Sequence, residues 1–277
     1  MAELILPLRT ELPEEILERQ DEVQPICVAV PLYNWVSSMF FANFVRMHRV
    51  EETPVCTVVG VYLEQAMRLL TKQALAIPGW KRLVIVEGDM VMPEDALIRH
   101  ALHTDAVVGS LYFQHRLPHQ ANVMLEHPTE GVDKCAHLLP TGIKYMLDNP
   151  ALYKVSIVGM GCTSIRRDVL EDWDHERWGP IWRNGFQESA KDDEFTGGQI
   201  SHDVRFCQQV VRQGHSVWLD SSIVCDQLTE GNIGARHYLA AHAQELGLIP
   251  EHLRRASSPI VLPNRAARRQ HARARAT

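Results

Sequence analysis

Apolar and polar positions along the chain fall into a repeating rhythm. Residues 1–24 are mostly polar, with a short helical signal at PEEILERQ. A compact apolar run, ICVAVP, then predicts a buried strand from residue 26. Helical spacing covers 36–49, VCTVVG at 55–60 predicts a second strand, and 62–76 carries Leu63, Ala66, Met67, Leu70 and Ala74 on one helical face. LVIV at 83–86 is continuous and β-branched, as suits a strand covered on both sides. Pro93, Glu94 and Asp95 suit the first turn of a helix, and AVVGSLYF at 106–113 predicts a fourth strand.

Strands alternating with helices in this way predict an α/β fold, a Rossmann-like and mostly parallel sheet with helices on both faces. Ligands of such sheets bind beyond the carboxyl ends of the strands. Those ends are Pro31-Leu32-Tyr33-Asn34, Gly60-Val61 and Glu87-Gly88-Asp89. The second half is less regular. Residues 114–154 are polar and without clear period, 155–165 return to strand character, and a short helix follows to about Trp173. A long loop is expected over 174–200, with Trp178 and Trp182 in it. A helix over 202–213 carries Val204, Cys207, Val210 and Val211 on one face, is stopped by Gly214, and is followed by a last strand at 216–224. The sequence divides into an extension (1–24), one catalytic-size domain (25–235, with halves 25–113 and 114–235) and a C-terminal helix with a basic tail (236–277) expected to be disordered.

Composition narrows the function classes. A net charge of -6 argues against nucleic-acid binding by bulk electrostatics. Cys27, Cys56, Cys135, Cys162, Cys207 and Cys225 are scattered, with no C-x-x-C pair, which predicts reduced core thiols and a cytoplasmic protein. No signal-peptide pattern and no long apolar span is present. P-loop, dinucleotide, G-x-S-x-G and H-E-x-x-H motifs are missing. The pairs His100/His103 and His115/His119 lack further ligands in register and are expected to be structural or surface residues. Arg166 and Arg167 open a helix and are expected to be solvated.

Two acids, Glu87 and Asp89, stand beyond the LVIV strand with one glycine between them. They repel each other unless something compensates. A solvated turn would suffice, and so would a hard divalent cation, since Mg²⁺ or Mn²⁺ binds through one or two carboxylates together with substrate phosphates. Gly88 would let a phosphate approach the backbone.

The order of segments over roughly residues 25–230 resembles glycosyltransferases of the GT-A fold, in particular the family-two-like group and its small phage-type members. VAVPLYN resembles the opening strand and nucleotide-contacting turn, and YLEQAMRLL the helix that often carries an arginine near the donor, with Arg68 as candidate. VIVEGDMVMPEDAL resembles the metal-binding D-x-D segment, VGMGCTSIRRDVLE the acceptor-side strand, and SHDVRFCQQVVRQGHSVWLD the helix whose aspartate is the catalytic base. The resemblance implies a metal-dependent (Mn²⁺ or Mg²⁺) transfer of a sugar from a nucleotide-sugar donor to an acceptor hydroxyl on a glycan, protein or modified nucleobase. Asp203 would be the base of an inverting reaction. Pro31, Tyr33, Asn34, Arg68, Glu87, Gly88 and Asp89 would contact the donor, and Gly161, Trp182 and His202 would lie on the acceptor side. Three positions depart from the pattern: Glu87 replaces an aspartate, His202 replaces an acid, and Gln227 falls where a metal-binding histidine is usual, with Asp226 beside it as a substitute. A nucleotidyltransferase of related sheet, or a GT-A-like domain that binds without turnover, are the rival expectations.

Overall fold

The computed structural model describes residues 12–33, 36–115, 117–127, 131–183, 185–186, 199–228, 232–243 and 245–248. After a short helix α1 (Glu14–Leu17), the chain forms β1 (Ile26–Leu32), α2 (Ser38–Arg46), β2 (Val55–Val59), α3 (Leu63–Leu75), β3 (Arg82–Val86), β4 (Met90–Val91), α4 (Ala96–Ala101) and β5 (Val107–Leu111). There follow β6 (Val123–His127), β7 (Gly131–His137), α5 (Pro140–Asp148), β8 (Leu152–Val155), β9 (Ile157–Val158), β10 (Cys162–Arg166), α6 (Arg167–Glu171) and α7 (His175–Trp178). The remaining elements are β11 (Gly185–Phe186), β12 (Gln199–Ile200), α8 (His202–Arg212), β13 (Val217–Val224), β14 (Asp226–Leu228), β15 (Asn232–Ile233) and α9 (Ala235–Ala241).

A seven-stranded sheet in the order β2-β1-β3-β10-β5-β13-β8 is the centre of the fold. The pairs β1–β2, β1–β3 and β5–β13 are parallel, while β10 runs antiparallel to both β3 and β5, and β8 to β13. The expected mostly parallel α/β sheet is therefore present. Side-chain alternation divides each central strand between two cores. In β1, Cys27 and Ala29 join the core with Met67, Leu70 and Phe206, whereas Ile26, Val28 and Val30 join the core with Phe40, Leu97 and Met90. All five residues of β3 are buried, as the LVIV run required. The edge strand β2 alternates exposed and buried positions.

The structure corrects the reading of the chain in three places. The aperiodic stretch 114–154 holds the β6–β7 hairpin, α5 and part of β8. The run 155–165, expected to have strand character, is divided: Val155 ends β8, β9 joins a small sheet with β6 and β7, and β10 enters the central sheet. Gly159 and Gly161 lie between them, where the chain passes around a buried tyrosine ring. The helix after Pro93 begins only at Ala96, because Pro93 to Asp95 form the turn that precedes it. Residue 184 and residues 187–198 of the expected loop, and the basic tail from 249 onward, lie outside the described residues.

Candidate functional site

The acid turn follows β3 directly. The Glu87 amide donates to the Gly161 carbonyl at 2.8 Å, and the Met90 amide donates back to the Glu87 carbonyl at 3.1 Å, so the turn is tight. Beyond it, β4 pairs with β14, and the Leu228 amide donates to the Asp89 carbonyl at 2.6 Å. Backbone bonds thus hold Glu87 to the first residues before β10 and Asp89 to β14. Gly88 sits against the end of β1: a Cβ there would come within 2.9 Å of Leu32 Cδ2 and 3.5 Å of the Pro31 carbonyl oxygen. Pro31 is buried beneath it.

The carboxylates are poorly compensated. Gln227 Nε2 donates to Asp89 Oδ2 at 2.9 Å, but Asp89 Oδ1 is buried without a hydrogen-bond partner. Such an orphaned acceptor costs about 1–3 kcal/mol. Burial raises the Asp89 pKa, with the Gln227 amide acting in the opposite direction. Glu87 is pushed up to about 8, first by burial, then by the charges of Asp89 and of Asp203. Asp203 lies at the start of α8, its Oδ1 accepting from the Val204 amide at 2.8 Å. Acids separated by over a hundred positions in the sequence therefore act on one another at the carboxyl edge of the sheet.

One member of the cluster was not among the expected site residues. Tyr112, just past β5, is 8% exposed, and its oxygen accepts from the Gly161 amide at 3.2 Å. Burial, then Glu87, then Asp203 drive its pKa well above that of an ordinary phenol. The signal lay in the V-G-M-G segment. A Cβ on Gly159 would come within 2.1 Å of the Tyr112 oxygen, and one on Gly161 within 2.9 Å of its ring.

Other expected residues fall nearby or apart. Tyr33 is exposed at the end of β1, its carbonyl accepting from the Gly60 amide at 2.8 Å; Asn34 lies outside the described residues. Arg68 is on the exposed side of α3 and turns back to the Glu64 carbonyl at 3.4 Å. His202 meets Trp182 edge-on at 6.3 Å, and its Nε2 is buried without a partner. Trp182 needs correcting as an acceptor-side surface. It is 0% exposed, stacks on Phe206 at 4.5 Å and donates to Thr71 Oγ1 at 2.7 Å, so neither ring face is open to a sugar. Asp226 and Gln227 are neighbours in β14 and point to opposite sides. Gln227 reaches Asp89, while Asp226 Oδ1 packs where a Gly234 side chain would start, 1.7 Å from that ideal Cβ position.

Three of the four paired histidines are engaged elsewhere, whereas His115 is near enough to Asp89 to lower its pKa. His100 is 0% exposed and bridges Ser164 Oγ at 3.1 Å and Ser110 Oγ at 2.9 Å; His103 bonds Asp220 at 2.9 Å; His119 bonds the Gln114 carbonyl at 2.9 Å. Arg166 pairs with Asp168, and Arg167 caps the end of α3 through the Leu75 and Ile77 carbonyls. Among the described residues, no three His, Cys, Asp or Glu side chains could hold a metal by themselves, and no helix is long and apolar enough to cross a membrane.

No protein-family model matches the sequence. No curated protein matches it either. Among solved structures it is similar to A197 from STIV, with 13% identity over 74% of this chain and 86% of that one and a TM-score of 0.49. It is also similar to GalNAc-T7 in complex with UDP, GalNAc and Mn²⁺, with 9% identity over 75% of this chain and 43% of that one and a TM-score of 0.47. At TM-scores below 0.5, neither likeness assigns an activity to this chain.

Proposed function

We propose that this protein is a GT-A-type glycosyltransferase that uses a divalent cation, Mn²⁺ or Mg²⁺, to move a sugar from a nucleotide-sugar donor to an acceptor hydroxyl with inversion. The observation that carries the reading is the uncompensated acid turn: Asp89 Oδ1 is buried and unpaired, and Glu87, raised first by burial, is raised further by the charges of Asp89 and Asp203. The sequence resemblance supports it from the same residues.

The donor set suits a hard cation. Asp89 Oδ1 is free to coordinate, Glu87 would ionise beside a positive charge, and an amide flip would turn Gln227 Oε1 inward. With so few protein ligands, donor phosphates and water would complete the shell, as is usual for Mg²⁺. When bound, the cation would neutralise charge on the departing diphosphate. Gly88 lets the turn lie against the end of β1, where a Cβ would meet Leu32, and Tyr33 is exposed at the end of β1 to meet the nucleoside. Asp203 would take the proton of the attacking hydroxyl. Its Oδ1 is anchored by the Val204 amide, which leaves Oδ2 for that proton.

The test is a panel of nucleotide sugars with Mn²⁺, followed by nucleoside diphosphate release. Asp89→Ala should abolish metal-dependent donor binding. Asp203→Ala should retain binding and lose at least 100-fold in turnover, in line with the loss of a general base. Absence of release with every donor, together with no Mn²⁺-dependent thermal shift by nucleoside diphosphates, would overturn the enzyme reading.

A further inference from the structure

Two buried thiols stand together and have no part in the proposed transfer. Cys27 on β1 and Cys56 on β2 have their sulfurs 3.9 Å apart, with Cys27 0% and Cys56 7% exposed. The strand register sets their spacing. β1 and β2 are parallel, and Cys56 pairs with Ala29, two positions beyond Cys27. Both side chains therefore enter the same core, that of Met67, Leu70 and Trp80. Strand spacing and rise put the two Cα atoms about 8 Å apart. A disulfide spans only ~7 Å without backbone movement, so the pair stays open as thiols. Burial, then the neighbouring Cys56, pushes the Cys27 thiol up to about 12, while Arg167 acts in the opposite direction. Cys27 thus keeps its proton at neutral pH unless something displaces it.

We propose that Cys27 and Cys56 form a two-coordinate thiolate site for a soft monovalent cation, Cu(I). Thiolate sulfur selects soft ions over the hard Mg²⁺ or Mn²⁺ that suits the acid turn. A structural Zn²⁺ takes four ligands. Among the described residues, no third His, Cys, Asp or Glu joins the pair. A linear sulfur–metal–sulfur unit with bonds of about 2.3 Å needs its sulfurs ~4.6 Å apart. The pair opens to that separation if each sulfur shifts by a few tenths of an ångström, which side-chain rotation supplies. Binding releases one proton from each thiol, so two thiolates and one cation leave a single negative charge. Arg167, whose charge acts on Cys27 and whose guanidinium lies 4.5 Å over the Trp80 ring, offsets it. β2 is the edge of the central sheet, so the site lies one strand from solvent. The bound ion would tie that edge strand to β1. This inference does not depend on the glycosyltransferase reading.

The test is an anaerobic titration of the reduced full chain with Cu(I) held by a colorimetric chelator, in enough excess to leave isolated thiols empty. Wild type should withdraw one Cu(I) per chain, and X-ray absorption of that complex should give two sulfur neighbours. Cys27→Ala and Cys56→Ala should each weaken binding by at least about 100-fold, since even a change behind a metal ligand costs about 10–100-fold. Cys207→Ala and Cys225→Ala, which alter other buried thiols, should keep the wild-type affinity. Excess Mn²⁺ should not displace the Cu(I). Wild-type affinity in both Cys27→Ala and Cys56→Ala, or its loss in Cys225→Ala, would overturn the proposal by placing the ion on other thiols. No withdrawal of Cu(I) by the wild type would overturn it outright. If Cys27→Ala does not fold, Cys56→Ala on the edge strand and the wild-type absorption spectrum decide the matter. Three or more sulfur or nitrogen neighbours in that spectrum would also overturn the site.

Discussion

At the scale of single residues, Glu87 is the most informative. Its carboxyl is pushed up from 4.5 to about 8 by burial and by Asp89 and Asp203. A raised carboxyl pKa means that the folded state holds a proton that the unfolded state has released. In that interval the metal-free protein loses stability as pH rises, and the loss is complete above the folded value. Glu87→Gln removes this dependence. The wild-type Tm should therefore fall more steeply than that of Glu87→Gln between pH 4.5 and about 8, and saturating Mn²⁺ should flatten the wild-type curve. Identical slopes for the two proteins would show that Glu87 is ionised in the metal-free fold. The spacing of Glu87 and Asp89 was legible in the sequence as two acids in need of compensation. Their coupling to Asp203 was not, because it depends on how far α8 approaches β3. Nor was the environment of His100, where two serines from separate strands close around an imidazole that a helical pattern places only on a face.

At the scale of elements, the strands buried on both faces were legible and the amphipathic hairpin was not. β1 is a continuous apolar run and β3 and β5 are nearly so, which made their burial legible, although Arg82 and Ser110 are buried in them as well. β6 and β7 carry Glu126, His127, Asp133, Lys134 and His137, so no strict alternation marks them. Their strand form comes from pairing with each other and with β9. Trp182 shows the same limit from the other side. An aromatic residue in a polar loop fits a sugar platform or a packing anchor equally well, and only its contacts decide. Here Trp182 ties the loop to α3 through Thr71 and to α8 through Phe206. Trp182→Ala should cost about 3–5 kcal/mol. Trp182→Phe, which keeps the stacking and loses the bond to Thr71, should cost about 1 kcal/mol. Urea denaturation measures both. A negligible cost for Trp182→Ala would mean that the loop is not anchored there.

For the whole molecule, the site depends on joining the two halves of the chain. Glu87 and Asp89 come from the first, and Asp203 and Gln227 from the second; Gln227 is 138 positions from the carboxylate it bonds. Gln227→Ala removes the amide donor from Asp89 and leaves both of its oxygens unpaired. It should lower metal-free stability by about 1–3 kcal/mol. Mn²⁺ should restore part of that loss, because a cation satisfies the same oxygens. Calorimetry with and without Mn²⁺ would test this, and equal losses under both conditions would argue against metal coordination by Asp89.

The ladder between β4 and β14 also has a meaning in time. Domains made on the ribosome grow at about 5–20 residues per second. With 138 positions between Asp89 and Gln227, the acid turn is therefore made roughly 7–28 seconds before the strand that clamps it. Through that interval β1, β2 and β3 can already pair, but Asp89 has neither its amide partner nor its backbone bond to Leu228. The fold thus completes this acid corner only when the last strands arrive, and the order of synthesis matches the order in which its parts are needed.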